Sequence, residues 1–454
     1  MASSQERKRF VDLPVAQYFD DAGIGKIPFK PDAAVNDTLC YRHYNPTQVV
    51  LGRTMEEWLR FSVVFWHSFC GTGADPFGPG TIERPWFDPD GSPMDNAKRK
   101  VRAAFEFFGR LGVKFFTFHD RDVAPEGETL AESNANLEEI TDLMVELQKE
   151  SGIRVLWVTC NLFSHPRYMN GAATNPDFHA VAYACAQVKK GLEVAKKLDA
   201  ENFIFWGGRE GYQSLLNTDL KAELDHLARF LAMAVRYKKK IGFTGQFCIE
   251  PKAKEPTKHQ YDFDAATVIG FLHQHGLEKE FKLNIEPNHT MLSGHDSLHD
   301  VRLASALGFL GSIDANRGAA DAGWDTDQFM MDPVDCALLM KVIIEQGGLG
   351  SGGLNFDCKL RRESTDLADL FVAHIGTMDA LARGLIAAAR IVEEGVLHKM
   401  LKERYLSFKS EIGRSFENGA LTLEECEEYI GKHGAPTQVS GKQEHFEAVL
   451  NRYI

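Results

Sequence analysis

Four short apolar runs in this 454-residue chain each stop at a carboxylate. They are Ile249-Glu250-Pro251-Lys252, Ile285-Glu286-Pro287-Asn288-His289, Ile313-Asp314-Ala315-Asn316-Arg317 and Asn355-Phe356-Asp357. One such acid reads as a solvated loop charge, because burying an unpaired carboxylate is costly or raises its pKa. Loop composition gives no reason for four in succession. Gly323-Trp324-Asp325-Thr326-Asp327 adds two acids at i, i+2, a spacing that lets both grip one cation in an extended loop but would not converge on a helix. Six carboxylates in one mouth repel strongly, whereas two divalent cations and Lys252 leave a tolerable residue of negative charge. Oxygen donors with a single imidazole and no thiolate favour Mg2+, with Mn2+ or Co2+ as substitutes, over structural zinc. Glu250, Glu286, His289, Asp314, Asp325, Asp327 and Asp357 are therefore expected to form one two-metal site in a divalent-metal-dependent enzyme.

A second set of groups suits proton transfer and water exclusion. Phe115-Phe116-Thr117-Phe118-His119-Asp120-Arg121-Asp122 places an imidazole at a strand end with a carboxylate three residues on, and such a pair can orient and polarise the ring. A lone histidine is more often structural; at a strand end facing metals the catalytic reading is the stronger. Trp66-His67, Asn161-Leu162-Phe163 and Trp206-Gly207-Gly208 end three further runs. Their aromatic rings would form an apolar wall that keeps water from the reacting carbons.

Positioning these groups in one mouth requires parallel strands. Eight β-branched and aromatic runs read as strands: Val63–Phe69, Val113–His119, Arg154–Phe163, Asn202–Trp206, Gly242–Glu250, Lys282–Glu286, Leu310–Asp314 and Gly353–Asp357. Between them Ala97–Leu111, Leu137–Lys149, Phe178–Leu198, Leu220–Tyr237, Ala265–His275, Ser297–Leu307 and Val334–Glu345 carry apolar residues at helical spacing. Eight βα units whose strands are apolar throughout predict a closed parallel (β/α)8 barrel over residues 61–385, with a doubly wound sheet as the alternative. Residues 1–60 read as an N-terminal extension containing a short helix, Met55–Phe61. Residues 386–454, through Ile391–Phe408, Leu423–Lys432 and Gln443–Tyr453, read as a helical arm without a compact core, suited to packing against another subunit.

Composition narrows the class. A chain 44% hydrophobic and 25% charged has the make-up of a globular protein. Met1–Phe10 is charged where a secretory signal would be apolar, and no run reaches the ~20 apolar residues of a membrane span, so a cytoplasmic protein without a membrane partner is expected. The eight cysteines form no CxxC pair, which indicates neither a disulfide framework nor a zinc ribbon. A net charge of −13 repels nucleic acid. Gly348–Gly353 matches a GxGxxG pattern, but it follows a helix and precedes a strand, the reverse of a dinucleotide loop.

The ordered set of motifs resembles the xylose isomerases, in particular their longer class. It runs from Trp66-His67-Ser68-Phe69-Cys70 and Gly73-Ala74-Asp75-Pro76-Phe77-Gly78 through Phe118–Asp122, Trp206–Tyr212, Ile249–Lys252 and Asn284–Glu286. It continues in Gly311–Arg317, Gly323–Asp327 and Asn355–Asp357. The resemblance implies that Glu250, Glu286, Asp314 and Asp357 hold a structural cation, and that Glu286 bridges to a catalytic one completed by His289, Asp325 and Asp327. It further implies that His119, held by Asp122, assists opening of a cyclic sugar and that Lys252 hydrogen-bonds the C1 oxygen. Trp66, Phe163 and Trp206 would line the substrate, and Phe77 would reach into a neighbouring subunit of a homotetramer. Thr290-Met291 and Gly71-Thr72 depart from the family's usual residues without touching the ligands.

The expected reaction interconverts D-xylose and D-xylulose, and D-glucose and D-fructose, by ring opening and a metal-assisted 1,2-hydride shift. Two rivals are a metal-dependent barrel phosphodiesterase, which the negative charge disfavours, and a non-catalytic metal-dependent sugar binder, which has no need of His119–Asp122 or Lys252.

Overall fold

The computed structural model describes residues 18–20 and 22–454. Met1–Phe10 and the start of the N-terminal extension lie outside the described residues. Eight strands close into a barrel: β1 (Phe61–Val64), β2 (Phe115–His119), β3 (Arg154–Thr159), β4 (Asn202–Trp206), β5 (Gln246–Glu250), β6 (Phe281–Ile285), β7 (Leu310–Asp314) and β8 (Leu354–Phe356). Every neighbouring pair is parallel. Closure runs through Leu354↔Phe61, Asn355↔Ser62 and Phe356↔Val63, so the doubly wound alternative falls away.

The outer ring is α1 (Pro93–Leu111), α2 (Leu130–Ser151), α3 (Phe178–Lys197), α4 (Leu220–Ile241), α5 (Ala265–Gln274), α6 (His299–Ala306), α7 (Pro333–Gln346) and α8 (Leu367–Glu394). Their ends follow local chemistry. In α1 the Ser92 side chain accepts the Asp95 N–H, Pro93 occupies the first turn, and Gly112 at φ 84 closes the helix, which satisfies end groups that the helix itself cannot. Val101, Ala104, Phe105, Phe108 and Leu111 form its buried stripe. Helix α8 is long and apolar enough to cross a membrane by composition. Its Leu370, Phe371, Ile375, Met378, Leu381 and Leu385 are instead buried in the fold, and it packs along α7. The two approach closely at Gly384, where a Cβ would stand 2.6 Å from the Cys336 carbonyl carbon.

Three sequence expectations need correction. The first strand ends at Val64, and Trp66–Cys70 forms a turn of π-helix, so Trp66 and His67 turn over the mouth instead of continuing a strand. The third strand ends at Thr159, leaving Asn161–Phe163 in a loop. The proposed helix Ile391–Phe408 is broken at Gly395, whose φ of 65 ends α8 before Val396–Arg404 begins. The Gly348–Gly353 segment is an αβ connection: a Cβ on Gly352 would lie 1.9 Å from the Gly311 carbonyl oxygen.

The described part of the extension is sewn onto the barrel. The Tyr41 hydroxyl donates to the Leu111 carbonyl at 2.7 Å, and the Asp379 carboxylate accepts the N–H groups of Arg42, His43 and Tyr44 at 2.8 to 3.0 Å. Beyond Gly395 the chain is different. Val396–Arg404, Glu411–Glu417, Leu423–His433 and Gln443–Leu450 contain no buried residue, while Leu401, Leu406, Phe416, Leu423 and Ile430 are exposed.

Candidate active site

Strand polarity brings the acids together. Glu250 and Asp314 are the last residues of β5 and β7, Glu286 follows β6 as the N-cap of the short helix Pro287–Leu292, and Asp357 follows β8. His289 lies on that short helix. Asp325 and Asp327 come from the loop inside a two-stranded ribbon, Asn316–Arg317 with Gln328–Phe329. Asp327 adopts a φ of 41, a left-handed conformation that Asp tolerates better than most residues. All seven predicted ligands fall within overlapping groups of oxygens and nitrogens less than 4.8 Å apart: Glu286/Asp314/Asp357, Glu286/Asp325/Asp327 and Glu250/Glu286/His289.

Beneath the acids lies a layer of buried polar groups that the strand-end reading missed. Asn284 Nδ2 donates to Glu250 Oε2 at 2.9 Å and Asp314 Oδ2 at 2.6 Å. Asn355 Nδ2 donates to Asp314 Oδ1 at 2.6 Å, and Thr117 Oγ1 donates to Asn355 Oδ1 at 2.9 Å. Asn316 Nδ2 donates to Glu286 Oε1 at 2.7 Å, and Asn288 Nδ2 reaches the same oxygen at 3.3 Å. Asn288, which belongs to a formal glycosylation sequon, is buried. His67 was also missed: its Nε2 stands 3.1 Å from both Asp327 Oδ2 and Asp357 Oδ1. Lys359 Nζ lies 3.1 Å from Asp327 Oδ2 and adds a positive charge beside that of Lys252. A signal for the amide layer existed, since Thr117, Asn284 and Asn355 each lie two residues before a site residue and so face the barrel interior with it.

The donor set fits divalent cations. Glu286 is 1% exposed, and its Oε2 has no hydrogen-bond donor among the described residues although His289 Nε2 stands 3.2 Å away. Burial, and then Asp314 and Asp357, hold the Glu250 carboxyl well above the usual carboxylate range. Burial, and then Asp325, Asp357 and Asp327, do the same for Glu286. Asp314 is pushed up to about 7 by burial and by Asp357. Burial opposes ionisation of Asp325 too, but His289 and Lys252 outweigh it and hold that carboxyl well below the usual range. Carboxylates this crowded need compensating positive charge, which hard cations supply.

A pH dependence follows. In the metal-free fold Glu250, Glu286 and Asp314 retain protons that the unfolded chain gives up near the ordinary carboxylate pKa. The native state then binds more protons, so stability falls as pH rises above the carboxylate range, and the Asp314 contribution is fully lost above about pH 7. A divalent cation bound there would displace those protons. Thermal melts should show metal-free protein losing stability between about pH 5 and 7, and Mg2+ raising the melting temperature more at the upper end than the lower.

Of the other expected residues, Trp66, His119, Phe163, Trp206 and Lys252 line one cavity of about 200 Å³ above the acids, together with His289. His119 Nδ1 lies 2.9 Å from Asp122 Oδ2, and that same oxygen accepts the His119 N–H at 2.7 Å. Lys252 Nζ donates to Asp325 Oδ2 at 2.6 Å. The wall is continuous: ring centroids are 4.6 Å apart for Trp66–His119, 5.5 Å for His119–Phe163 and 4.6 Å for Phe163–Trp206. Trp157 extends it behind Trp66 at 5.6 Å. Phe77 is not in this cavity; it is 96% exposed on the loop after the π-turn.

Fold and site define an enzyme of the parallel-barrel class, with its reactive groups at the carboxyl ends of the strands. A family model described as a xylose isomerase-like TIM barrel matches residues 111–331, and one described as the XylA2 C-terminal domain matches residues 401–454. The chain is 53% identical to xylose isomerase 1 of Xanthomonas campestris pv. campestris over 98% of its own length and 99% of the relative's. It is 53% identical to the xylose isomerase of Geobacillus kaustophilus over 95% and 96%, and 54% identical to that of Arabidopsis thaliana over 94% and 89%. The chain belongs to the xylose isomerase family and is an enzyme of it.

Proposed function

We propose that the chain interconverts D-xylose and D-xylulose, and D-glucose and D-fructose, by ring opening and a hydride shift, using two divalent cations per subunit with Mg2+ preferred. The observation that carries this reading is one cavity lined by Glu250, Asp325, Asp327 and Asp357 of the acid cluster together with His119, Lys252 and the aromatic wall, with Asp122 held against His119. When bound, the cations supply Lewis-acid charge that holds sugar oxygens and offsets the negative charge developing on them.

Each side chain then has a stated task. Asp122 engages Nδ1 of His119, which leaves Nε2 to exchange a proton with the ring oxygen as the cyclic sugar opens. Lys252 is anchored by Asp325 and lies 5.3 Å from the Trp206 ring centroid; it donates to the C1 carbonyl oxygen and stabilises charge there. The C2 hydroxyl loses its proton, the hydrogen on C2 moves to C1 with both electrons of its bond as O2 closes the C2 carbonyl, and O1, receiving the C1=O π pair, takes up a proton. Trp66, Phe163 and Trp206 keep water from C1 and C2, which favours direct transfer over an enediol that exchanges with solvent.

A coupled assay of xylose to xylulose, with and without Mg2+, tests the reading, with metal-dependent ketose formation the expected result. Deuterium at C2 should be retained in the product; its loss to water would overturn the hydride route. Neither the phosphodiesterase nor the sugar-binder reading predicts ketose formation.

We also propose a homotetramer in the cytoplasm, with the segment after Gly395 as an arm on a neighbour and Phe77 completing a neighbour's cavity. Supporting it are the exposed apolar side chains of that arm and of Phe77, which is the exposure that an unmet subunit contact leaves. Deleting residues 396–454 should shift the mass measured by light scattering to a smaller species. An unchanged tetramer would contradict the arm's role.

A further inference from the structure

Outside the acid cluster, a second group of ligand-type side chains gathers where the loop leaving the Glu286–His289 segment meets the starts of α5 and α6. His295 and His299 stack with ring centroids 4.2 Å apart and planes 27° apart. A nitrogen from each, together with a carboxylate oxygen of Asp300, lies within 4.8 Å of the others. A second carboxylate closes the group, as Asp264 Oδ2 stands 3.3 Å from His295 Nε2.

Helix-end chemistry accounts for part of this arrangement. Asp264 caps α5 by accepting the Thr267 N–H at 2.8 Å, and Asp300 Oδ2 accepts the Ala265 N–H at 3.0 Å. It leaves one atom unexplained. Asp300 is 3% exposed, yet its Oδ1 has no hydrogen-bond donor among the described residues, an arrangement that costs free energy unless something positive meets it. Burial raises the Asp300 carboxyl, and nearby Asp264 adds to the rise.

We propose that His295, His299 and Asp300, with Asp264 beside them, form a third metal site, specific for a transition-metal dication, Zn2+ in the first place. Two imidazoles and one carboxylate are a donor set for zinc, and nitrogen donors disfavour Mg2+. Asp264 hydrogen-bonds His295, as carboxylates behind metal-bound histidines commonly do to fix the ring. The site is a clip. His295 N–H donates to the Thr290 carbonyl at 3.3 Å, next to His289, so an ion here ties α5, α6 and the His289-bearing helix together.

The test uses full-length protein saturated with Mg2+, incubated with limiting Zn2+, desalted and assayed for zinc by mass spectrometry. Because zinc can also enter the carboxylate cluster, the readout is the difference between wild type and variants. Wild type should carry about one more zinc per chain than His299→Ala or His295→Gln, as one ion on three protein ligands requires. Asp300→Asn should weaken retention at least ~10-fold, as loss of a charged ligand does. Zinc should raise the melting temperature of the Mg2+-saturated wild type and leave that of His299→Ala unmoved. His299 is exposed, so its removal is compatible with folding, and activity with Mg2+ in zinc-free buffer should stay near wild type. Equal zinc in wild type and both histidine variants, or zinc bound with no rise in melting temperature, overturns the proposal. Sugar turnover plays no part in either readout, so the outcome is separate from that of the isomerase reading.

Discussion

Replacing Glu286 by Gln should abolish tight binding of both catalytic-site cations and lower turnover by at least ~10³-fold, because Lewis-acid stabilisation worth several kcal/mol is lost. Glu286 is the one carboxylate common to the Asp314/Asp357 and Asp325/Asp327 groups. Its Oε1 is committed to Asn316 and Asn288, while Oε2 has no donor. Gln matches the shape of the neutral carboxyl that burial, and then Asp325, Asp357 and Asp327, favour at this position in the metal-free fold, so the metal-free variant should melt no lower than wild type. Loss of stability and loss of metal are thereby separable. Calorimetric titration with Mg2+, thermal melts and the xylose assay check the three quantities. Wild-type affinity for either cation would show that Glu286 is not the bridge.

The residues that were legible in the sequence share one property. Glu250, Glu286, Asp314 and Asp357 interrupt apolar runs, and a parallel barrel forces all such interruptions to one rim. The loop acids Asp325 and Asp327 followed from spacing, as did His119 with Asp122. His67 did not. The apolar run Val63–Trp66 leads directly into His67-Ser68-Phe69, so the strand reading continues through residues that in fact turn as π-helix, and that turn is what points His67 at Asp327 and Asp357. Short-range pattern cannot register a helix of five residues with strand-like composition.

The amide layer was missed for a different reason. Asn284 and Asn355 look like interruptions of a hydrophobic strand, and only the alternation of faces shows that they lie one layer below the acids. Each is fully buried and donates to carboxylates, so together they fix which oxygens are left to face a cation. Lys359 lies just beyond Asp357 in the loop after the last strand, where a single lysine carries no signal in the sequence. Its contact with Asp327 adds one more positive charge to a balance that sequence arithmetic left slightly negative. The arm past Gly395 was legible as helix but not as a unit, since many of its apolar side chains, Leu401, Leu406 and Leu423 among them, stay exposed instead of closing a core.

The division of the cluster into two half-sites makes the sharpest demand on experiment. Asp327→Asn should leave one Mg2+ per chain bound with near wild-type affinity and reduce turnover by ~10³-fold or more, the scale set by losing a Lewis acid worth several kcal/mol. Asp314→Asn should instead weaken binding of the cation that Asp327→Asn retains. Asp327 is the cleaner choice of the two loop acids. Asp325 also accepts from Lys252 at 2.6 Å, so its loss would strip a buried ammonium of its partner and confound metal loss with the cost of an unpaired charge. Asp325 is also held ionised by His289 and Lys252, whereas burial and Asp325 itself push the Asp327 carboxyl up. The His289/Asp325/Asp327 half-site thus carries one preformed charge, while the Glu250/Asp314 pair must give up protons to accept an ion. The cation that survives in Asp327→Asn should therefore be the one whose binding weakens steeply towards acid pH. Titrations of that variant at about pH 6 and 8 read this directly, given the Asp314 value near neutrality. Equal loss of both cations, or survival of a cation indifferent to pH, would mean that the acids act as one undivided site.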